Sequence, residues 1–171
     1  MKIIEALKQQ KELLIKADDL RKKVRDHCAY LDYETPVYQD QKAQIREWIQ
    51  AHHDILKEVE RLRLAVQRTN IETDVTINID ERHVTKSIAG WIHRRRELAQ
   101  LERDMWRMLT DRNLKEGHLQ PSQGSAEARP VKIVRCFDPQ ERDKKLDVYS
   151  REPQIIDAQL EIVNAITDLI E

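Results

Sequence analysis

Residues 45–69 read IREWIQAHHDILKEVERLRLAVQRT, and this stretch decides the fold of the chain. Two rows of residues recur every seven positions, and the second row lies three positions after the first. The first row is Ile45, His52, Val59 and Val66, and the second is Trp48, Ile55, Leu62 and Thr69. Alternating steps of three and four residues place one stripe along a helix. The stretch therefore predicts a long helix that buries this stripe against other helices.

The composition of the chain fits long amphipathic helices. Of 171 residues, 36% are charged and 40% are hydrophobic, and only three are glycine. The net charge is about −1, whereas proteins that bind nucleic acid through its phosphates usually carry a basic excess, so nucleic acid is not expected as a partner. The first residues lack the apolar core of a signal peptide, and no apolar run is long enough to span a membrane. A cytoplasmic protein is expected, or a virion protein if a phage encodes the chain.

The apolar spacing divides most of the chain into helices. Thr35 is expected to cap the second helix, with Pro36 as its first residue, and Asp80 to cap the third. Pro153 is expected to break or kink the C-terminal helical region. Because the first two helices are joined by a short link, an antiparallel hairpin is predicted. The five predicted helices cover residues 2–31, 37–70, 81–113, 138–149 and 153–171.

Two short segments have the alternation of a strand. Apolar β-branched residues alternate with polar ones over residues 73–79, and a second strand is predicted over residues 131–137. The glycine- and serine-containing residues 114–130 are predicted to be a flexible loop. Since two strands alone are marginal in water, they either pair on the helices or form an arm that pairs with another subunit. The prediction is one mainly α domain over residues 1–171.

No catalytic, cofactor or metal site is predicted. The six histidines include no HxxxH pair with a third ligand, and the chain has no phosphate-binding glycine loop and no GxSxG motif. Cys28 and Cys136 are far apart and form no CxxC motif, so two reduced, partly buried thiols are expected. The chain is not predicted to be an enzyme.

Arg68, Thr69 and Asn70 lie where the second helix gives way to a strand. In a structural interpretation, Asn70 ends the helix in a left-handed conformation, and the other two side chains bond to nearby groups. In a functional interpretation, this tripeptide contacts an anion or a partner, and the guanidinium of Arg68 supplies a forked donor. An enzyme site near Arg68 at a subunit junction is a third hypothesis for the function of the chain.

The densest basic cluster comprises Arg94, Arg95 and Arg96 on the third helix. An ion-paired helix face is one interpretation, in which Arg95 pairs with a carboxylate across a helix interface. The alternative is that these residues, together with Arg112, contact a nucleic-acid backbone, which would make the chain a nucleic-acid-associated accessory protein.

Several apolar residues exceed what one subunit needs to close its own core. They are predicted to lie at contacts between subunits. These residues are the doublet Leu13 and Leu14, the strand residues Val75, Ile77 and Ile79, and the tryptophans Trp91 and Trp106. The leading functional hypothesis is a non-catalytic structural or scaffolding protein that acts as a homo-oligomer, in a larger assembly such as a phage particle.

Three segments of the chain resemble the septicolysin-like family of uncharacterised bacterial proteins. They are Met1–Leu7 (MKIIEAL), Leu62–Asn70 (LRLAVQRTN) and Val131–Val134 (VKIV), the last followed by a C-terminal helix that begins at an aspartate. The chain departs from the family pattern at Pro153 and in the longer loop after Asn113. The resemblance implies a helical, oligomeric protein and no established activity.

Overall fold

The computed structural model describes residues 1–119 and 129–170, and the fold is mainly α, as predicted. The elements in chain order are α1 (Ile3–His27), α2 (Gln41–Glu72), β1 (Asp74–Ile79), β2 (Arg82–Ser87), α3 (Ile88–His93), a π-helical segment (Arg94–Leu98), α4 (Ala99–Arg107), β3 (Gly117–Leu119), β4 (Arg129–Val131) and α5 (Pro139–Ile166). The chain divides into two compact units. Unit 1 is Met1–Thr76, Thr85–Gly90 and Gln159–Glu171, and unit 2 is Ile77–Val84 and Trp91–Ala158. A single domain stays a prediction.

Helices α1 and α2 form the predicted antiparallel hairpin in unit 1. They pack along their lengths, and near the loop the His27 ring lies 5.7 Å from the Trp48 ring, centroid to centroid. The stripe of residues 45–69 faces inward, since Trp48, Val59, Leu62, Val66 and Thr69 are all buried. The prediction that this stripe forms a packed seam is therefore confirmed.

Helix α2 begins at Gln41, so the prediction of a start at Pro36 is wrong. The helix is capped by Asp40, whose carboxylate accepts a hydrogen bond from the Ala43 backbone N–H at 2.9 Å. The Gln41 side chain donates a hydrogen bond to the His27 carbonyl at 2.8 Å, which joins the start of α2 to the end of α1. These bonds fix the start of the helix at Asp40 and leave Pro36 in the loop.

Strands β1 and β2 form a hairpin, so the prediction of a helix from residue 81 is wrong for residues 82–87. Strand β1 confirms the predicted strand at 73–79. Asp80 and Glu81 both have positive φ, 51° and 62°, as a two-residue turn of type I′ requires. With two residues in the left-handed region, the chain reverses at Asp80 instead of starting a helix there.

The turn predicts the effect of Glu81→Gly. A glycine has no side chain to strain at φ 62°, so this substitution should raise the free energy of unfolding by about 1 kcal/mol. Urea unfolding followed by circular dichroism measures the change. Arg82→Gly, one residue further along in β2, is the control and should be destabilising, because glycine weakens a strand.

The third helical region runs from Ile88 to Arg107 and contains the π-helical segment. It ends before residue 113, where the sequence predicted its end. Arg112 and Asn113 have φ values of 54° and 58°, and such left-handed residues cannot continue a right-handed helix. The π segment adds one residue to a turn, which changes the direction of every side chain that follows it.

Strands β3 and β4 pair antiparallel, with Gly117 opposite Val131 and Leu119 opposite Arg129. The prediction of a strand over 131–137 is therefore wrong beyond Val131, because this pairing ends at Val131 and no ladder continues past it. Most of the predicted flexible loop 114–130 lies outside the described residues, at positions 120–128. The described part of this stretch includes β3 and the start of β4.

Helix α5 runs unbroken through Pro153, so the prediction of a break at residues 150–153 is wrong. A proline inside a helix costs roughly 3 kcal/mol. Its neighbours Glu152 and Ile156 are buried, and this packing holds the helix in register across the proline.

The C-terminus of the described chain is attached to the N-terminus within unit 1. Helix α5 ends at Ile166, and the Ile3 N–H donates to the Thr167 carbonyl while the Leu169 N–H donates to the Met1 carbonyl. The predicted extension of the helix to residue 171 is wrong because these backbone groups pair with residues 1–3 in a β-bridge instead.

Candidate interaction surface

One side of the α1–α2 hairpin has exposed apolar residues at sevenfold spacing. Leu7 and Leu14 on α1 are 43% and 41% exposed, and Ile49 and Leu56 on α2 are 54% and 43% exposed. Ile49 and Leu56 follow Trp48 and Ile55 of the seam by one position, and Leu7 and Leu14 likewise follow the buried Ala6 and the half-buried Leu13. In an antiparallel helix pair, the positions that follow the seam in the two helices lie on the same side. We call these four residues the flank stripe.

A groove of about 450 Å³ is lined by residues of both helices, and Ile49 is the member of the flank stripe that lines it. Its apolar floor includes Leu20 and Val24 of α1 and Ile49 of α2. His52, the polar member of the seam, also lines it. The groove is open and extends along the hairpin toward its loop end. This side of the α1–α2 hairpin therefore presents an apolar surface that no other described residue covers.

Charged residues of both signs border the groove. Asp18 and Lys22 form an ion pair with 2.7 Å between Oδ2 and Nζ, and Arg21 lies beside them. The hydrogen bond from Lys22 lowers the pKa of Asp18, and the same bond raises the pKa of Lys22. Arg25 stands further along the same edge and is paired with Asp26. Because both signs are present, the charged residues along the groove can pair with acidic or with basic side chains of a partner.

Unit 2 carries a second exposed apolar face, on the third helical region. Its members are spaced by three, four and three residues, which is the spacing of one helix face. They are Leu98, Leu101, Met105 and Met108, and each is at least 45% exposed. The buried side of the region holds Trp91 and Ala99.

Thr69 is the structural member of the Arg68–Asn70 tripeptide. It is fully buried, and its hydroxyl donates to the Ala65 carbonyl at 2.8 Å and accepts from the Ile170 N–H at 2.9 Å. Arg68 is exposed and engaged with a neighbouring group, and Asn70 is half-buried and helical. The prediction of a left-handed Asn70 is wrong, because α2 continues to Glu72. The hydroxyl of Thr69 ties the C-terminal residues to α2.

Arg94 and Arg95 are both paired with carboxylates of α5 in unit 2. Arg94 forms a two-pronged pair with Glu152, at 2.5 Å from Nε and 3.0 Å from Nη2, and its guanidinium lies 5.4 Å from the centre of the Tyr149 ring. Glu152 is 3% exposed. The hydrogen bonds with Glu152 raise the pKa of Arg94.

Arg95 pairs with Asp157, as the prediction of an ion pair across a helix interface required, although both side chains are more exposed than Glu152. Arg96 and Arg112 are exposed. The structure therefore does not gather the four arginines into one free basic patch, since two of them already have carboxylate partners.

The predicted subunit contacts fall into two groups. Ile77 and Trp91 are each 1% exposed, so a partner subunit has no access to them. Val75, Ile79 and Trp106 are half-buried, and their role in contacts between subunits stays a prediction. Of the doublet, Leu13 is half-buried, and Leu14 belongs to the flank stripe. The stripe could have been found from the sequence by extending the sevenfold search one position past the seam.

Residues that could carry other chemistry are dispersed. Within residues 1–119 and 129–170, no three His, Cys, Asp or Glu side chains are grouped so as to hold a metal ion. Cys28 and Cys136 are free and exposed, so the prediction of partly buried thiols is wrong on burial. In the same part of the chain, no helix has both the length and the apolarity needed to cross a bilayer.

Comparison with known proteins supports the fold alone. No family model and no curated protein matches the chain. A solved structure described as a functionally unknown conserved protein from Corynebacterium diphtheriae is similar, with a TM-score of 0.58 and 19% identity over 99% of both chains. The septicolysin-like resemblance stays a prediction.

Proposed function

We propose that the chain is a non-catalytic structural protein that associates with itself through the flank stripe and the groove beside it. The observation that carries this proposal is the exposure of Leu7, Leu14, Ile49 and Leu56 at heptad spacing along one side of a helical hairpin. Exposed apolar residues that recur at heptad spacing on one side of a helix pair are typical of a face that a further helix covers. Two hairpins that join by such faces form a four-helix bundle, which closes the exposed stripe of each.

The charges favour a second copy as the partner. Both signs border the groove, and the whole chain is nearly neutral, so two copies meet without a net repulsion. Three of the four charged residues that line the groove are cations, but each already pairs with Asp18 or Asp26 on α1, so the edge offers little unpaired charge to a strongly acidic or strongly basic partner. A two-fold interface requires the same patch to complement itself, and an edge with both signs meets that requirement.

The nucleic-acid alternative has weaker support. Arg94 and Arg95 are engaged with Glu152 and Asp157, so binding phosphates would require breaking those pairs. For Arg94 the break would leave Glu152 buried without a counter-ion. Arg96 and Arg112 remain as exposed cations, and two are few for binding that depends on phosphate contacts.

The Leu98, Leu101, Met105 and Met108 face supports the further proposal that the self-associated protein is part of a larger assembly. It lies on unit 2, whereas the flank stripe lies on unit 1, so one chain offers apolar faces on both units. Membership of a phage particle stays a prediction. Co-purification of the chain with virions would test it.

The double substitution Ile49→Glu/Leu56→Glu tests the proposal. Two carboxylates on the stripe would have to lose their water on association, so the dissociation constant should rise at least about a hundredfold, equivalent to roughly 3 kcal/mol. Multi-angle light scattering after size exclusion measures the mass, and circular dichroism checks that the helices are intact.

Leu64→Glu/Ile71→Glu is the matched control. Both residues are on α2, are seven positions apart and are exposed, at 58% and 66%, but they lie on a different side of the helix. This variant should keep the native mass. A native chain that is monomeric at micromolar concentration, or a stripe variant that keeps the native mass, would contradict the proposed function.

A further inference from the structure

We infer that self-association of the chain depends on pH through His52, so that copies associate when this histidine is neutral and separate when it binds a proton. This inference rests on the proposed function and adds a regulation of the same surface. Histidine suits such a role because its ordinary pKa, about 6.5, lets its charge change near neutral pH.

His52 lies where the seam meets the groove. It belongs to the seam row of α2, yet it also lines the groove, together with Ile49 of the flank stripe. The residue is half-buried, whereas the neighbouring His53 is exposed. Within residues 1–119 and 129–170, no side chain or backbone group forms a hydrogen bond or an ion pair with the His52 ring. The polar atoms of the ring therefore depend on the water in the groove.

The charges around His52 come from α1. Four charged residues of that helix line the groove, namely Asp18, Arg21, Lys22 and Arg25. Asp18 pairs with Lys22 at 2.7 Å and lies 3.6 Å from Arg21, and Arg25 pairs with Asp26. The hydrogen bond from Lys22 lowers the pKa of Asp18, so this carboxylate stays charged and paired in weakly acidic solution.

A proton on His52 therefore adds a fourth positive charge to a groove lined by three cations. The one acid among the lining residues, Asp18, already has two cationic neighbours. Protonated His52 thus gains no free carboxylate partner on its own chain. A second copy brings the same set of charges to the same surface, because a two-fold interface uses one patch twice.

Self-association through this side of the hairpin would cover the groove and remove its water. A neutral imidazole loses less on that transfer than a charged imidazolium, whose hydration is far stronger. Repulsion from the cations of both copies adds to the cost of the charged form. The associated state therefore binds a proton at His52 more weakly than the single chain does, and protonation favours the single chain.

The direction and size of the effect follow from this difference. At pH 7.5 an ordinary histidine is mostly neutral, so association should have its full strength. At pH 5.5 about nine in ten such histidines carry a proton, which has to leave before the copies associate. The dissociation constant should then rise about tenfold for each His52 that the interface buries, or about a hundredfold for a two-fold pair that buries two.

Sedimentation equilibrium of the native chain at pH 7.5 and at pH 5.5, at one ionic strength, measures this rise. Circular dichroism at both pH values checks that the helices are intact. His52→Gln replaces the ring with a side chain that stays neutral. This variant should associate equally at the two pH values. His52→Lys carries a permanent charge and should associate weakly at both.

His53→Gln is the matched control. His53 is the next residue on α2 and is exposed, so its ring is hydrated without reference to the groove. The substitution removes one titrating imidazole, as His52→Gln does. It should leave the pH dependence of the native chain in place.

The outcomes separate the two proposals. A native chain that is monomeric at pH 7.5 would overturn the proposed function. A native chain that associates at pH 7.5 and associates equally or more tightly at pH 5.5 would overturn the role of His52 and leave self-association standing. A pH dependence that persists in His52→Gln would overturn that role as well.

Discussion

Replacing Arg94 with methionine is expected to lower the free energy of unfolding by about 3–5 kcal/mol. The substitution leaves the carboxylate of Glu152 without its guanidinium, and Glu152 is 3% exposed. A buried carboxylate without a partner must remain charged at high cost or bind a proton. Urea unfolding of the native and variant chains, followed by circular dichroism, measures the loss.

Two further variants identify the cause of that loss. Arg94→Met/Glu152→Met removes both charges, so most of the stability should return. Arg95→Met breaks the more exposed pair with Asp157 and should cost less than about 1 kcal/mol. Equal losses in Arg94→Met and Arg95→Met would contradict the assignment of the buried pair to Arg94.

Replacing Trp91 with alanine is expected to cost about 3–5 kcal/mol, because removing a buried indole leaves a cavity. Trp91 is 1% exposed and is the largest of the fully buried side chains. Thermal or urea unfolding measures the change. If the chain associates with itself as proposed, the mass in solution should be the same as that of the native chain at temperatures where the variant is folded.

Trp106→Ala is the matched control, because Trp106 is half-buried on the same helical region. Its cost should be clearly smaller, since less apolar surface loses its contacts. If Trp91→Ala dissociated the oligomer and left the unfolding free energy unchanged, Trp91 would belong to a contact between subunits, as the sequence pattern first predicted.

The sequence was most informative where a periodic pattern ran over many residues. The seam in residues 45–69 extends over more than three heptads, so it predicted both a helix and its buried side, and the burial of Val59 and Leu62 confirms it. The alternation of Val75, Ile77 and Ile79 predicted β1 for the same reason. Long repeats of this kind determine local structure because every turn of the element places an apolar residue on the same face.

The sequence was least informative where tertiary contacts or turn geometry outweighed local preference. Strand β2 has no clear alternation, and the turn before it contains no glycine, so Asp80 looked like a helix cap. Pro153 looked like a helix break, yet the packing of Glu152 and Ile156 keeps α5 continuous. Neither the turn at Asp80 nor the packing around Pro153 could be inferred from the sequence alone.

The ion pairs illustrate both cases. The prediction that Arg95 pairs across a helix interface is confirmed, but the buried pair belongs to Arg94, one residue earlier. In a regular α-helix, the direction of each side chain follows from 3.6 residues per turn. The π segment at Arg94–Leu98 has more residues per turn, so the side-chain directions expected from the sequence do not apply there. The sequence indicates the flank stripe only in part, through the Leu13 and Leu14 doublet, because the sevenfold pattern of the seam does not include the positions that follow it.

Sedimentation equilibrium of the native chain at micromolar concentrations tests the central claim most directly. The account predicts a mass at least twice the 20.3 kDa of one chain, which falls to one chain in Ile49→Glu/Leu56→Glu and is retained in Leu64→Glu/Ile71→Glu. A native mass of 20.3 kDa across that concentration range would contradict it.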